Sequence, residues 1–435
     1  MVCRPKTVWV VLSLSTVLLN AFILFVLIPK VSAHISGLYS QNYYADGYDQ
    51  LAANLAAGNG YRFYPDTAQT LMREPGYPVL LAGIYKLFGS NFEIVKLMNM
   101  IMAFGAAYVM TLIGREISTN PLLIYGAPLL FLFHPETLMA ESRGGVEVLF
   151  GFILVLYIST VYRMLRTDRW LAYVLSGAVL GITLLVRSTP ILFPAVLFGY
   201  FLFVRRQSKS SFFLVRNFTL KIVTTCLVIS PWIVRNYLLT EKVVPTASVL
   251  GVAAQTGLYL ATHHEIGNVG VDWEAAMERN RLAQELGYPF RAGYYQYFYS
   301  PADELAFSQY LSRRVANEYK ASPFLFAKTM SLNLIKFWCG GKTGKSVALD
   351  ATIQFPFLAL AISAVVLCIK GGRAKIVAPL ALLCVYIVGV SIPILAQARY
   401  AAPLIPFMSI LGVITLLALK QRLGKRDYAL SEIVL

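Results

Sequence analysis

The sequence is short of charge. Only 14% of its 435 residues are Asp, Glu, Lys or Arg, whereas an ordinary soluble domain carries about one quarter. With 57% hydrophobic residues and a mean hydropathy of +0.62, that deficit excludes a soluble globular chain and implies an all-α polytopic membrane protein. Cysteine is scarce too. Cys3, Cys226, Cys339, Cys368 and Cys384 are scattered, mostly within apolar runs and without a CxxC, so they imply neither a disulfide framework nor a metal site. No internal repeat suggests transporter halves. Acidic residues are outnumbered 22 to 38, giving a net charge of +16. The basic side chains sit at the ends of apolar runs rather than on one patch, which argues against nucleic acid as a partner. The excess is read as topological, because Lys and Arg collect in cytoplasmic loops.

Two stretches imitate motifs. Gly340 to Ser346, GGKTGKS, ends like a P-loop, but Cys339 stands where the first glycine belongs and a Trp-bearing apolar segment precedes it instead of a strand. His263-His264-Glu265 has ligand-type residues without a helical i, i+4 pair, the pattern of a surface cluster.

Apolar runs of roughly twenty residues, spaced by short charged connectors, predict helices rather than a barrel. Arg4 and Lys6 precede the run from Thr7 to Pro29, which predicts a cytoplasmic N-terminus. Val31-Ser32-Ala33 resembles a signal-peptidase site, but the run is longer than an h-region and an uncleaved anchor is expected. Further spans are expected near 91–114, 121–133, 146–161, 170–186, 190–204, 220–233, 352–369, 377–395 and 400–419. That makes about ten, with both termini inside. His134 to Gly145 is expected as an outer turn.

The polar segment Asn236 to Ser322 is expected to form a small outer-face subdomain with two helices. One is opened by Asp272 and ends near Gly287; the other starts at Ser300-Pro301-Ala302-Asp303 and runs to about Lys320. Phe324 to Trp338 carries Lys328, Asn333 and Lys336 and is read as an interfacial helix. The organisation is then a transmembrane module over 1–235 with a first outer loop at about 30–90, an outer-face subdomain with interfacial helix over 236–345, and C-terminal helices with a short cytoplasmic tail over 346–435.

That first loop is oddly built. Tyr43 to Pro78 is rich in aromatic and small residues, unlike a flexible linker. Arg143, Arg187, Arg235 and Arg399 fall at outer helix ends, against the bias that puts cations inside. They are either scattered surface charges or a convergent anion site, for which arginine's fixed fork of donors suits phosphate. Acids share that side: Asp46, Asp49, Glu74, Glu136, Glu141 and Glu147. Asp46 is equally readable as a cap for the helix that follows it, and Glu147 as a cap or a partner of Arg143. Carboxylates beside arginines suit a reaction in which one group accepts a proton while others stabilise a departing phosphate.

The order of several pieces resembles a family. Asp46 ahead of LAANLAAGNGY, REPGYPVLLAGIYKLFG from Arg73, Glu147 at the start of a span, SGAVLGITLLVRSTP around Arg187, ISPWIVRNYLL around Arg235, KASPFLFAKTMSLNLIKFW, and ARYAAPLIP around Arg399 and Tyr400 are similar to the polyprenyl-phosphate-dependent GT-C glycosyltransferases. The group is that of protein O-mannosyltransferases and lipid A aminoarabinose transferases. The resemblance implies a GT-C-like helical bundle in the plasma (inner) membrane with its active site on the outer face. It implies a polyprenyl-phosphate-linked sugar donor and a lipid, glycan or protein hydroxyl acceptor, with inversion at the sugar. Asp46 is implied as the catalytic carboxylate, with Asp49 close enough to compete and Glu147 matching a second acid. Arg73, Arg187, Arg235, Arg399 and Tyr400 would meet the donor phosphate. Apart from the resemblance, the aromatic residues of the outer subdomain, Tyr259, Trp273, Tyr288, Tyr294, Tyr295 and Tyr297, are either faces on which an acceptor stacks, with Tyr259 and Trp273 the candidates, or anchors at the membrane interface. No cofactor is required, and a divalent metal is possible but not indicated. A transporter or flippase of lipid-linked sugar phosphates would use the same arginines but has no need of the loop aspartate.

Overall fold

The computed structural model describes residues 5–30, 46–167, 169–205, 211–263, 272–340 and 344–423. Val31 to Ala33, residues 206–210 between two of the expected spans, His264, Glu265, the middle of GGKTGKS and the C-terminal tail lie outside the described residues. The described chain is helical apart from one two-residue antiparallel hairpin, which pairs Phe290 with Phe298 and Arg291 with Tyr297.

Seven described helices are long and apolar enough to cross a membrane: Ser13–Lys30, Phe92–Ile117, Glu147–Thr167, Phe212–Thr240, Val347–Lys370, Ala374–Ser391 and Ala398–Lys420. An eighth arises if the bent pair Leu122–Leu132 and Pro135–Ser142 counts as one span. The difference from about ten lies in the helices Trp170–Val186 and Thr189–Val204, which are apolar but short. At 1.5 Å per residue the former reaches about 25 Å, less than a hydrocarbon core of about 30 Å. The expected outer turn at 134–145 is largely helical. His134 caps Pro135–Ser142 by accepting the Glu136 N–H at 3.2 Å, and the chain bends by 50° there.

Burial ranks the helices. Glu147–Thr167 and Ala398–Lys420 have 67% and 78% of their apolar window buried, against 11% for Ser13–Lys30. These two helices are the centre of the bundle, and both begin at the end where the first loop sits, so their first residues are held by the most tightly packed part of the protein.

In the polar segment the two expected helices are present as Asp272–Glu285 and Pro301–Ala321. The Ser300 hydroxyl accepts the Asp303 N–H at 3.4 Å, as the cap pattern predicts. Phe324 to Trp338 lies in a 16-residue helix, Pro323–Trp338, which is not among the membrane-length helices. A further helix, Leu250–His263, adds to the two that the sequence predicts; its small apolar residues come without the charged caps that would mark it. Leu51, Tyr61, Phe63 and Met72 of the first loop share one apolar cluster with Val252, Leu282, Tyr295, Phe298 and Phe307. Loop and polar segment are therefore packed as one layer on the bundle. Glu304 locks them together: its carboxylate accepts from the Thr70 hydroxyl at 2.6 Å, the Leu71 N–H at 2.9 Å and the Ser248 hydroxyl at 2.6 Å.

Candidate active site

Asp46 stands two residues before the first residue of the short helix Tyr48–Ala56. It does not cap that helix, contrary to one of the two readings above: Gly47 occupies the cap position, without a side-chain capping bond. Gly47 has φ of 73°, in the left-handed region that costs an L side chain, and a Cβ there would lie 2.5 Å from Phe63. The turn sends the Asp46 carboxylate toward the bundle.

Two guanidinium groups meet it. Arg399 is bidentate, donating to Oδ2 at 2.6 Å and to Oδ1 at 3.0 Å. Arg73 reaches Oδ1 at 3.5 Å and donates from Nε to the Asp46 carbonyl at 3.3 Å. The Tyr295 hydroxyl accepts from Arg73 and donates to Asp46 Oδ1 at 3.3 Å. Arg73 also lies over the rings of Tyr48 and Tyr295, 5.3 and 4.8 Å from their centroids. Glu147 joins from the first turn of its helix, its Oε1 3.6 Å from Arg399. Arg187 is stacked over Tyr400 at 4.4 Å, within electrostatic range of Asp46. Burial by itself would raise the Asp46 carboxyl; Arg399, then Arg73 and Arg187, outweigh it and hold the group well below the usual carboxylate range. The Asp46 side chain is 14% exposed, covered but open to a reactant.

The scaffold explains the convergence. Tyr61 donates from its hydroxyl to the carbonyls of Arg73 and Glu74, both at 3.0 Å, and Glu74 accepts the Ser188 N–H at 2.9 Å. That ties Arg73 to the residue after Arg187. Gly76, at the start of the Gly76–Phe88 helix, permits the contact: a Cβ there would lie 2.7 Å from Val186 and 2.8 Å from the Leu185 carbonyl.

The other candidates are placed elsewhere. Asp49 accepts from the Tyr85 hydroxyl at 2.7 Å. Arg235 is stacked on Trp232 at 4.5 Å and donates to the Thr70 carbonyl at 2.9 Å and Gln69 at 3.1 Å, so it grips the loop one turn of chain before Arg73. Arg143 lies 3.8 Å from Glu136. Tyr259 is stacked on His263 at 4.1 Å. Trp273 is half exposed and stacks on Tyr294, which meets Tyr295 edge-on at 4.6 Å; an aromatic path thus runs from the surface to Asp46. Among the described residues no group of three or more His, Cys, Asp or Glu forms a metal-ligand set. The sequence names Tyr295 only as one of the aromatic residues of the outer subdomain, does not single out Gln397, and reads Asp272 only as a cap. Neither Gln397 nor Asp272 has a spacing that separates it from surface polar residues.

A family model described as dolichyl-phosphate-mannose-protein mannosyltransferase matches residues 72–234. The matched stretch holds Arg73, Glu147 and Arg187, and stops short of Asp46 and Arg399 on either side. It covers less than half of the chain. No curated protein matches. Two solved structures of ArnT from Cupriavidus metallidurans, one bound to undecaprenyl phosphate and one in the apo state, are 13% and 14% identical. They cover 96% and 94% of this chain and 80% and 78% of theirs, with TM-scores of 0.44 and 0.41. Likeness at that level says nothing of site or substrate.

Proposed function

We propose that the protein is an inverting glycosyltransferase that moves a hexosyl or pentosyl group from a polyprenyl-phosphate carrier to a hydroxyl acceptor, with Asp46 as the general base. The observation that carries this reading is one carboxylate gripped by Arg73 and Arg399, from opposite ends of the chain, with Arg187 close by. The mannosyltransferase match over 72–234 supports a sugar on a polyprenyl phosphate as donor.

The arrangement suits an exchange of anions. A carboxylate held so low is a poor base, and the same guanidiniums are the natural ligands of a donor phosphate. As the phosphate engages Arg399, Arg73 and Arg187, Asp46 loses counter-charge and gains basicity. The acceptor O–H then gives its proton to Asp46, its oxygen bonds the anomeric carbon, and the carbon–oxygen bond to phosphate breaks from the opposite face. Polyprenyl phosphate leaves with the electron pair, stabilised by the arginines. Base catalysis of this kind contributes about 100- to 10,000-fold, and each preorganised donor to the leaving group about 3 kcal/mol. Glu147 orients Arg399 from its second side. Trp273 and Tyr259 are proposed to meet a lipid, glycan or protein acceptor. The site faces the outside of the plasma (inner) membrane, with both termini cytoplasmic.

The test is transfer by purified protein from radiolabelled polyprenyl-phosphate sugars to cell-envelope acceptors. Transfer that disappears in Asp46→Asn supports the reading. No transfer with any donor, or full activity when Asp46→Asn and Asp49→Asn are combined, sinks it; donor movement across a bilayer without transfer would instead make the protein a transporter.

A further inference from the structure

Arg399 has a second attachment. While its two terminal nitrogens face Asp46, its Nε–H donates to Gln397 Oε1 at 2.9 Å, and the amide at the other end, Gln397 Nε2, donates to Asp272 Oδ2 at 3.0 Å. The chain Asp272, Gln397, Arg399, Asp46 therefore links the first residue of the Asp272–Glu285 helix to the candidate base through three side-chain bonds. Its ends belong to the two halves of the outer layer.

The order of atoms in this chain is dictated by chemistry. A glutamine amide can present oxygen or nitrogen to a neighbour after a half turn, and only its partners decide which. Arg399 Nε can only donate, so it needs the oxygen; an ionised carboxylate can only accept, so Asp272 needs the NH2 end. With both present, one orientation satisfies every group. Without Asp272, only the Arg399 Nε–H would hold the amide in that orientation, and its NH2 end would have lost its acceptor. Gln397 is also held at its backbone, which is extended at φ −138° just before the turn Ala398–Leu404, so its side chain stays level with Arg399.

We infer that Asp272 is a positioning residue, which acts through Gln397 to set the plane of the Arg399 guanidinium for donor phosphate. The inference rests on the donor reading above and deepens it. Asp272 makes no hydrogen bond to Asp46; its bond is to Gln397. Its effect is to keep Arg399 turned with both terminal nitrogens toward the anion site, whether that site holds the Asp46 carboxylate or a phosphate.

Undecaprenyl phosphate, without a sugar, is the probe. Its affinity is measured on the full-length protein in detergent for wild type, Asp272→Ala, Asp272→Asn, Gln397→Ala and the double variant Asp272→Ala with Gln397→Ala. Asp66→Asn serves as a control, because Asp66 pairs with Arg291 on the surface of the same layer, at 3.2 Å. Asp272→Ala is expected to weaken binding about 10-fold, in line with loss of one charge-assisted bond that orients the guanidinium. Asp272→Asn keeps a carbonyl for the Gln397 amide and should stay within about 3-fold of wild type. In the Gln397→Ala background, Asp272→Ala should cost nothing more, since coupled groups are not additive. Equal affinity of wild type and Asp272→Ala, fully additive losses, or an Asp272→Asn as weak as the alanine variant would each overturn the relay. A wild-type protein that does not bind undecaprenyl phosphate overturns the donor reading and the relay's purpose with it. One that binds with the expected pattern but transfers no sugar upholds the relay while breaking the enzyme reading.

Discussion

Two carboxylates hold the first loop, and they are held differently. Glu304 is satisfied by two hydroxyls and one backbone N–H; Asp46 is satisfied by the guanidiniums of Arg399 and Arg73 with a tyrosine hydroxyl between. Neutral donors fixed to the backbone have nowhere else to go, so the Glu304 arrangement is a lock. Guanidiniums on long stems can be taken over by a competing anion, so the Asp46 arrangement can open. Their acidities diverge accordingly. Burial raises Glu304 and its three hydrogen bonds do not fully offset it, whereas the arginines reverse the effect of burial at Asp46. One loop is thus held by a carboxylate suited to structure, Glu304 of the Pro301–Ala321 helix, and carries another, Asp46, suited to exchange.

The comparison breaks most directly at Asp46. Asp46→Asn should lower sugar transfer about 100- to 10,000-fold, while Asp49→Asn, which loses only the bond from Tyr85, should lower it less than about 10-fold; steady-state assays of both decide it. Equal losses would mean that the arginines do not mark the base. Next in size, Arg399→Ala should cost about 100-fold in transfer, as removal of a preorganised donor does elsewhere. It should also move the acid limb of the pH profile upward, because the guanidinium that does most to hold Asp46 ionised is gone. An unmoved limb would detach Asp46 from the rate.

Glu304→Ala should act on folding instead. Stranding the Thr70 and Ser248 hydroxyls and the Leu71 N–H costs about 2–3 kcal/mol, read as a lower melting temperature, with transfer per folded molecule nearly unchanged. A large loss of transfer without loss of stability would make Glu304 part of the site. The smallest effect is in the pH dependence of stability, and the two carboxylates should contribute with opposite signs. Asp46, lowered on folding, contributes stability that is complete above its unfolded value of about 3.9 and is lost as pH falls through the folded value. Glu304, raised on folding, loses stability as pH climbs from its unfolded value of about 4.3 to the folded one. Melting curves across that range for Asp46→Asn and Glu304→Gln, each subtracted from wild type, should slope in opposite directions.

By itself the sequence determined that the chain is a helical membrane protein, since apolar runs of that length have no other use, and that the helix at 301–321 starts where it does, because the Ser300 cap depends on residues a turn away. It also marked Asp46, Arg73, Arg187 and Arg399 as residues worth following. What only the tertiary structure decided is which of them meet. Asp46 and Asp49 are one helical turn apart, and a left-handed Gly47 and the Tyr85 hydroxyl send them to different neighbours. Arg235 and Arg399 both end apolar runs, yet the first grips Thr70 and the second grips Asp46. Asp272 read locally as a helix cap, and its bond to Gln397 is invisible in sequence because the two are 125 residues apart. Local pattern sets elements through neighbours in the chain; a site assembled from five helix ends is set by packing, which no short stretch contains.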